Sequence, residues 1–175
     1  MNRQQQAILD AQKAYVATMM DVIGRGLVST SQVDDDVRRE IAAFPAGYTI
    51  QMIVLPSGPS FAAQVQANGT LALLKDFSGR ADLSIKFKHI THAFLVFSFQ
   101  EGTARAFAND RMIADGEVSH AIRLVRCLNK MEALILPKAV AKLAVKRYPE
   151  LGLVEKATKA ARIYGLVAKN FVLGN

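Results

Sequence analysis

The 175-residue chain has no tryptophan, a single cysteine and three histidines. The lone Cys127 cannot close a disulfide within the chain, and no Cys-x-x-Cys or Cys-plus-His ligand spacing surrounds it. Burial on a helix is its expected place. Long hydrophobic runs are missing too: the longest, Ala93 to Phe97, has five residues, whereas a membrane-spanning helix needs about 20. No span is expected. The polar N-terminus, Met1 to Gln6, lacks the basic-then-apolar order of a secretory signal, which makes the cytoplasm the expected location.

The motifs that carry chemistry are equally sparse. No Gly-x-Gly-x-x-Gly follows a strand and there is no Walker lysine loop, so no nucleotide cofactor is expected. Ser29, Ser31, Ser57 and Ser60 read as loop residues, but none occupies a Gly-x-Ser-x-Gly elbow, and Cys127 has no histidine in its local motif. With no catalytic group in view, the chain reads as a non-enzyme. His89 and His92 could share a helix face, yet a metal site wants a third ligand, and His120 lies beyond a strand with no acidic partner close in sequence. No metal is expected. Asp34, Asp35 and Asp36 open a helix, where they complement its dipole, instead of alternating around a glycine as calcium ligands do.

What is present describes a folded globular chain: 51% apolar and 21% charged residues, in a length that suits one domain. The net charge of +7 is uneven, with nine Lys/Arg against eight Asp/Glu up to residue 88 and thirteen against seven after it. A basic half suits an anionic membrane surface. Nucleic acid is disfavoured, because tryptophan is absent and aromatics do not interleave with the basic residues.

Periodicity divides the chain. Ile8, Ala11, Tyr15, Met19 and Val22 recur at helical spacing, which predicts a helix over residues 3–23 that ends near Gly24 and Gly26. A second helix is expected from Gln32 to Phe44 with Ser31 as its N-cap. The period then changes to two. Tyr48, Ile50, Met52 and Val54 share one strand face, Phe61 to Ala67 form a second strand, and Asn68-Gly69 predicts a two-residue hairpin into Thr70 to Leu74. Leu83, Ile85 and Phe87 alternate with Ser84, Lys86 and Lys88 in a fourth strand. His89 to Gln100 has strand-like composition but also fits one buried helix, and Arg111 to Asp115 reads as a strand. Val118, Ala121, Ile122, Val125 and Leu128 then repeat at helical spacing. Two further helices are expected, one from Pro137 to Tyr148 and one from Val154 to Phe171. The order is helices, a meander of strands, a helix, a strand and helices.

Several of these pieces recur in a known order. Gly79-Arg80-Ala81-Asp82-Leu83-Ser84-Ile85-Lys86-Phe87 is followed by Phe94-Leu95, by Gly102, by the run from Ala106 to Gly116, and by Ala121-Ile122-Arg123-Leu124. From Phe77 to Leu128 this series resembles the lipid-binding domain of the sterol-carrier-protein type-two family, in particular its bacterial sterol-carrier-like members. The resemblance implies an α+β fold: a five-stranded, mostly antiparallel sheet with helices on one face and an apolar tunnel between them. Residues 1–46 would form N-terminal helices, 47–136 the sheet and core helices, and 137–175 basic C-terminal helices of one domain. The surrounding helices exceed what compact members carry. The segment Ile135-Leu136-Pro137-Lys138-Ala139 is similar to bacterial relatives with an accessory role in quinone biosynthesis.

The function so implied is binding and transfer, or presentation, of a hydrophobic lipid such as a fatty acyl, phospholipid or isoprenoid molecule. Each CH₂ taken out of water contributes about 0.8 kcal/mol, so such a tunnel needs few polar contacts. The expected lining is Leu83, Ile85, Phe87, Phe94, Phe97, Ile113, Ile122 and Val125, with Tyr164, Val167 and Phe171 as a movable lid. Lys138, Lys142, Lys146, Lys156, Lys159 and Arg162 would dock the protein on anionic lipids, peripheral to the inner membrane. Two alternatives stand beside this reading. One is a lipid-presenting accessory subunit that works with partner enzymes of quinone biosynthesis. The other is an oligomerisation module, such as a homodimer, paired through Ile8, Tyr15, Met19 and Val22.

Overall fold

Gly24 and Gly26 do not end the first helix. In the computed structural model, which describes residues 2–136 and 152–173, helix α1 runs unbroken over Arg3–Val33. The two glycines serve packing instead of termination. A Cβ at Gly24 would stand 2.9 Å from Cγ of Phe61, and one at Gly26 would stand 3.0 Å from Sδ of Met131. The missing side chains let the sheet and a later helix approach the α1 backbone, which outweighs the weak helix propensity of glycine. Ser31 is therefore a helix residue and not the expected N-cap. Its hydroxyl donates to Val28 O and accepts from Leu71 N, 3.0 Å away. The cap of α2 (Asp35–Ala42) is Asp34, whose side chain accepts from the backbone N–H groups of Asp36 and Val37.

Five strands form in the segments expected to be extended: β1 (Thr49–Val54), β2 (Ser60–Val65), β3 (Leu71–Leu74), β4 (Leu83–Phe87) and β5 (Met112–Asp115). On β1, Ile50, Met52 and Val54 are buried while Thr49, Gln51 and Ile53 are partly exposed. The β2–β3 loop differs from the two-residue hairpin. Gln66 N–H donates to Thr70 O and Gly69 N–H to Gln66 O, so Ala67, Asn68 and Gly69 form a three-residue loop. Of these only Gly69 has a positive φ, +76°, whereas the two-residue type I′ turn needs one at both central positions.

The sheet order is β3-β2-β1-β4-β5. The meander expected from the sequence holds through β3, after which the chain crosses over and β4 lies parallel to β1; the other three pairings are antiparallel. Asp82 fixes the start of the parallel pair. Its Oδ2 accepts from both the N–H and the hydroxyl of Thr49, at 2.8 and 2.7 Å, and these bonds hold the Asp82 carboxyl below its ordinary pKa.

Six helices are seen among the described residues. Besides α1 and α2 they are α3 (Ile90–Phe97), α4 (Thr103–Ala108), α5 (Val118–Ile135) and α6 (Leu153–Leu173). The segment 89–100 is helical over α3, as the resemblance at Phe94-Leu95 implies, and the strand expected over Arg111 to Asp115 is β5, preceded by α4 and followed by Gly116. The helix expected from Pro137 to Tyr148, with Lys138, Lys142 and Lys146, lies outside the described residues. The core forms where α1, α3 and α5 meet the buried face of the sheet, around Met20, Leu27, Ile50, Leu83, Phe87 and Leu124. None of the described helices is long and apolar enough to cross a membrane.

Candidate ligand cavity

Between the buried sheet face and the helices lies a cavity of about 210 Å³. Its floor is Met52 of β1, Ile85 and Phe87 of β4 and Met112 of β5. These neighbours follow from the register, because Met52 pairs with Ile85 and Phe87 with Met112. The walls come from Met19, Val22 and Ile23 of α1, from Val96 and Phe97 of α3, from Thr103 and Phe107 of α4, and from the inner stripe of α5. Phe97 stands edge-on to Phe87, with ring centroids 5.2 Å apart.

Tyr164 of α6 completes the lining. Its hydroxyl donates to the carbonyl of Ile135, which has no helical partner at the end of α5. Two lysines tie α6 down as well. Lys156 Nζ lies 2.8 Å from Leu136 O, and Lys159 Nζ lies 2.7 Å from Oδ2 of the fully buried Asp34. Burial acts to lower the Lys159 pKa, but the hydrogen bonds to Asp34 and Glu155 outweigh it and hold the group above its ordinary value. Lys156 and Lys159 thus anchor α6 to the rest of the fold. Arg162 is exposed and borders a groove with Gln32 and Val33.

Of the residues expected to line a tunnel, Ile85, Phe87, Phe97, Val125 and Tyr164 are brought together around the cavity. The others are placed elsewhere. Leu83 is buried in the core beyond it, and Phe94 packs edge-on against Tyr15. Ile113 is 38% exposed because it alternates with Met112 and so faces away from the helices, and Ile122 is 50% exposed. Val167 is partly buried but does not reach the cavity, and the side chain of Phe171 lies outside the described set. The α1 stripe that could have paired two copies is used within the chain. Met19 and Val22 line the cavity, and the Tyr15 hydroxyl donates to Phe97 O at 3.0 Å. Ile8 stays exposed.

Several lining residues were absent from the sequence reading, among them Thr103, Asn129, Met131 and Glu132. Asn129 and Glu132 lie one turn apart on α5, and both border the cavity. Their signal was available: in the series Val125, Asn129, Glu132, Leu136 a carboxylate and an amide occupy positions of an otherwise apolar helical stripe. Burial alone pushes the Glu132 carboxyl up from 4.5 to about 7. The rings of His89 and His92 stand 6.0 Å apart at the start of α3, and the buried Nδ1 of His92 has no hydrogen-bond partner among the described residues. His89 accepts from Thr91 N–H as the cap of α3, and His120 Nδ1 lies 2.9 Å from the Tyr48 hydroxyl and stacks on Phe44. Among the described residues no three His, Cys, Asp or Glu side chains group as metal ligands.

No family model and no curated protein matches the sequence. Solved structures similar to the chain are sterol-carrier-type-two domains. One is a ubiquinone synthesis protein described as UbiJ-SCP2, at 11% identity and a TM-score of 0.43, covering 68% of this chain and 94% of that one. Another is sterol carrier protein 2 from Yarrowia lipolytica in its apo form, at 19% identity and a TM-score of 0.40, covering 64% and 88%. A third is sterol carrier protein domain 2 of Helicoverpa armigera, at 11% and 0.41, covering 58% and 78%. At these TM-scores the functional reading has to come from the cavity itself.

Proposed function

We propose that this protein is a non-enzymatic carrier that takes the apolar part of a lipid into the cavity between its sheet and helices, for transfer or for presentation to another protein. The observation that carries this reading is the lining: Ile85, Phe87, Phe97, Phe107, Met112 and Val125 surround a space that side chains leave unfilled. Protein interiors are packed as densely as organic crystals, so an unfilled apolar space of this size forfeits dispersion contacts that a ligand restores.

Size limits what the closed form holds. An engineered apolar cavity of about 150 Å³ takes up benzene, and by proportion one of 210 Å³ encloses about eight heavy atoms. A long acyl or isoprenoid chain therefore requires the cavity to extend into a tunnel. In this reading α6 is the part that gives way, with Tyr164 leaving Ile135 O and Val167 and Phe171 moving with it. Lys138, Lys142, Lys146 and Arg162 are the residues assigned to contact anionic lipid surfaces.

The test is extraction of the purified protein with organic solvent and identification of bound molecules by mass spectrometry. Wild type and Ile122→Trp, whose change lies outside the cavity, are expected to release the same lipid in stoichiometric amount. Val125→Trp, which fills the cavity, is expected to release none. A wild-type protein that is empty and rejects added lipids would end the carrier reading.

A further inference from the structure

Nearly everything around the cavity is hydrocarbon or thioether. The polar side chains on its wall are Thr103, Asn129, Glu132 and Tyr164. Tyr164 is committed to the carbonyl of Ile135. Asn129 and Glu132 differ from it, because neither the amide nor the carboxylate has a hydrogen-bond or ion-pair partner among the described residues. Spaced three apart on α5, they project side by side. Both side chains are partly buried, and polar groups set into an apolar wall are better satisfied by a ligand hydrogen bond than by hydrocarbon, so the pair offers a place for one.

Resting on the reading of the cavity as a ligand site, we propose that Asn129 and Glu132 form its polar end and hold the head group of an uncharged alcohol, in preference to a carboxylic acid. A hydroxyl carries one donor and two acceptor lone pairs. It can donate to Oε of Glu132 while accepting from Nδ2 of Asn129, which satisfies both side chains at once. A carboxylate ligand offers no donor to Glu132 and sets two like charges together in a poorly solvated space. An alkylammonium offers three donors to a site with few acceptors, and its charge must also be desolvated. Glu132 and Tyr164 are the titratable side chains on the wall. With burial pushing Glu132 up to about 7, the carboxyl is mostly ionised at pH 8.

Isothermal titration calorimetry of the full chain at pH 8 with octan-1-ol, octanoate and octylamine tests this, since eight carbons match the enclosed volume. Wild type is expected to bind octan-1-ol about tenfold more tightly than either charged compound, the scale of one hydrogen bond to a charged group. Glu132→Gln keeps the shape and offers an amide donor, so octanoate affinity rises and the preference for the alcohol falls to within about threefold. Asn129→Leu is expected to weaken octan-1-ol about tenfold and leave octanoate unimproved. Equal binding of alcohol and acid by wild type, tighter binding of octylamine, or an unchanged ratio in Glu132→Gln would overturn the head-group assignment while leaving the cavity reading intact. Failure of all three octyl compounds to bind, in wild type as in Val125→Trp, would overturn the cavity reading and this inference with it.

Discussion

The ammonium of Lys159 reaches across from the last helix to place Nζ 2.7 Å from Oδ2 of Asp34, a carboxylate with no solvent exposure. The same carboxylate caps α2 through the N–H groups of Asp36 and Val37, at 3.0 Å each. One buried charge thus joins the start of α2 to α6. Lys130 stands further off at 3.9 Å and leans towards Asp36 at 3.0 Å.

Replacing Lys159 by alanine leaves Asp34 buried with its capping bonds but without its close cation. Loss of a hydrogen bond to a charged group predicts a destabilisation of about 2 kcal/mol, read as a lower urea midpoint with an unchanged slope. Arg162→Ala, on the exposed side of the same helix, is expected to leave the midpoint unaltered.

Glu132 predicts an unusual pH dependence. Its carboxyl is raised in the folded protein from 4.5 to about 7, so between these values the native state holds a proton that the unfolded chain has released. Stability contributed by this group is complete below pH 4.5, falls as pH rises, and is lost once pH passes 7. The linked free energy is on the order of 3 kcal/mol. Glu132→Gln removes that slope and is expected to be more stable than wild type at pH 8 and nearly equal to it at pH 4.5. Urea unfolding of both proteins at the two pH values checks the sign. A wild type no less stable at pH 8 relative to Glu132→Gln would place the carboxyl in water.

At Gly24 two effects oppose each other. Alanine gains about 1 kcal/mol of helix propensity, yet its Cβ would meet Cγ of Phe61 at 2.9 Å and Cβ of Phe61 at 3.2 Å. The clash reaches the root of the ring, which cannot swing away as a flexible tip can. Overpacking of this kind costs about 1–3 kcal/mol, so Gly24→Ala is expected to be net destabilising by about 1 kcal/mol. Phe61→Leu in the same background is expected to recover part of the loss, measurable as a double-mutant cycle.

Cys127 is buried, and burial pushes its thiol up to about 12. The thiolate is the reactive form, so a disulfide reagent at pH 8 is expected to label the native protein only at the rate of unfolding, and to label it promptly in denaturant. Fast labelling without denaturant would mean that α5 opens locally.

These sites differ in how far the sequence announced them. The strands were legible because alternation is local: Leu83, Ile85 and Phe87 are buried as their spacing requires, and Cys127 is buried on its helix. The crossover of β4 to β1 was not legible, since no short pattern encodes which distant edge a strand will join. Ile113 and Met112 are adjacent apolar residues on one strand, so one of them had to face outward, and only the finished sheet determines which. Ile122 was misplaced for a geometric reason. Val118 and Ile122 share a helical stripe, but both are exposed, and the buried line of α5 runs instead through Leu124, Cys127, Met131 and Leu134. Gly24 and Gly26 misled in the opposite sense, because a packing glycine and a terminating one look alike without their neighbours.

The parallel pairing of β1 with β4 also bears on how the chain acquires its shape. Ile50 must find Leu83, 33 residues onward, before the central strand has both neighbours, while β2 and β3 lie next to it along the chain. Local hairpins form sooner than distant pairings. During synthesis β1 to β3 can assemble first, leaving one side of β1 as an open edge with unpaired N–H and C=O groups, the kind of surface on which nascent chains stick to one another. Completion of β4, signalled by Asp82 clasping Thr49, closes that edge.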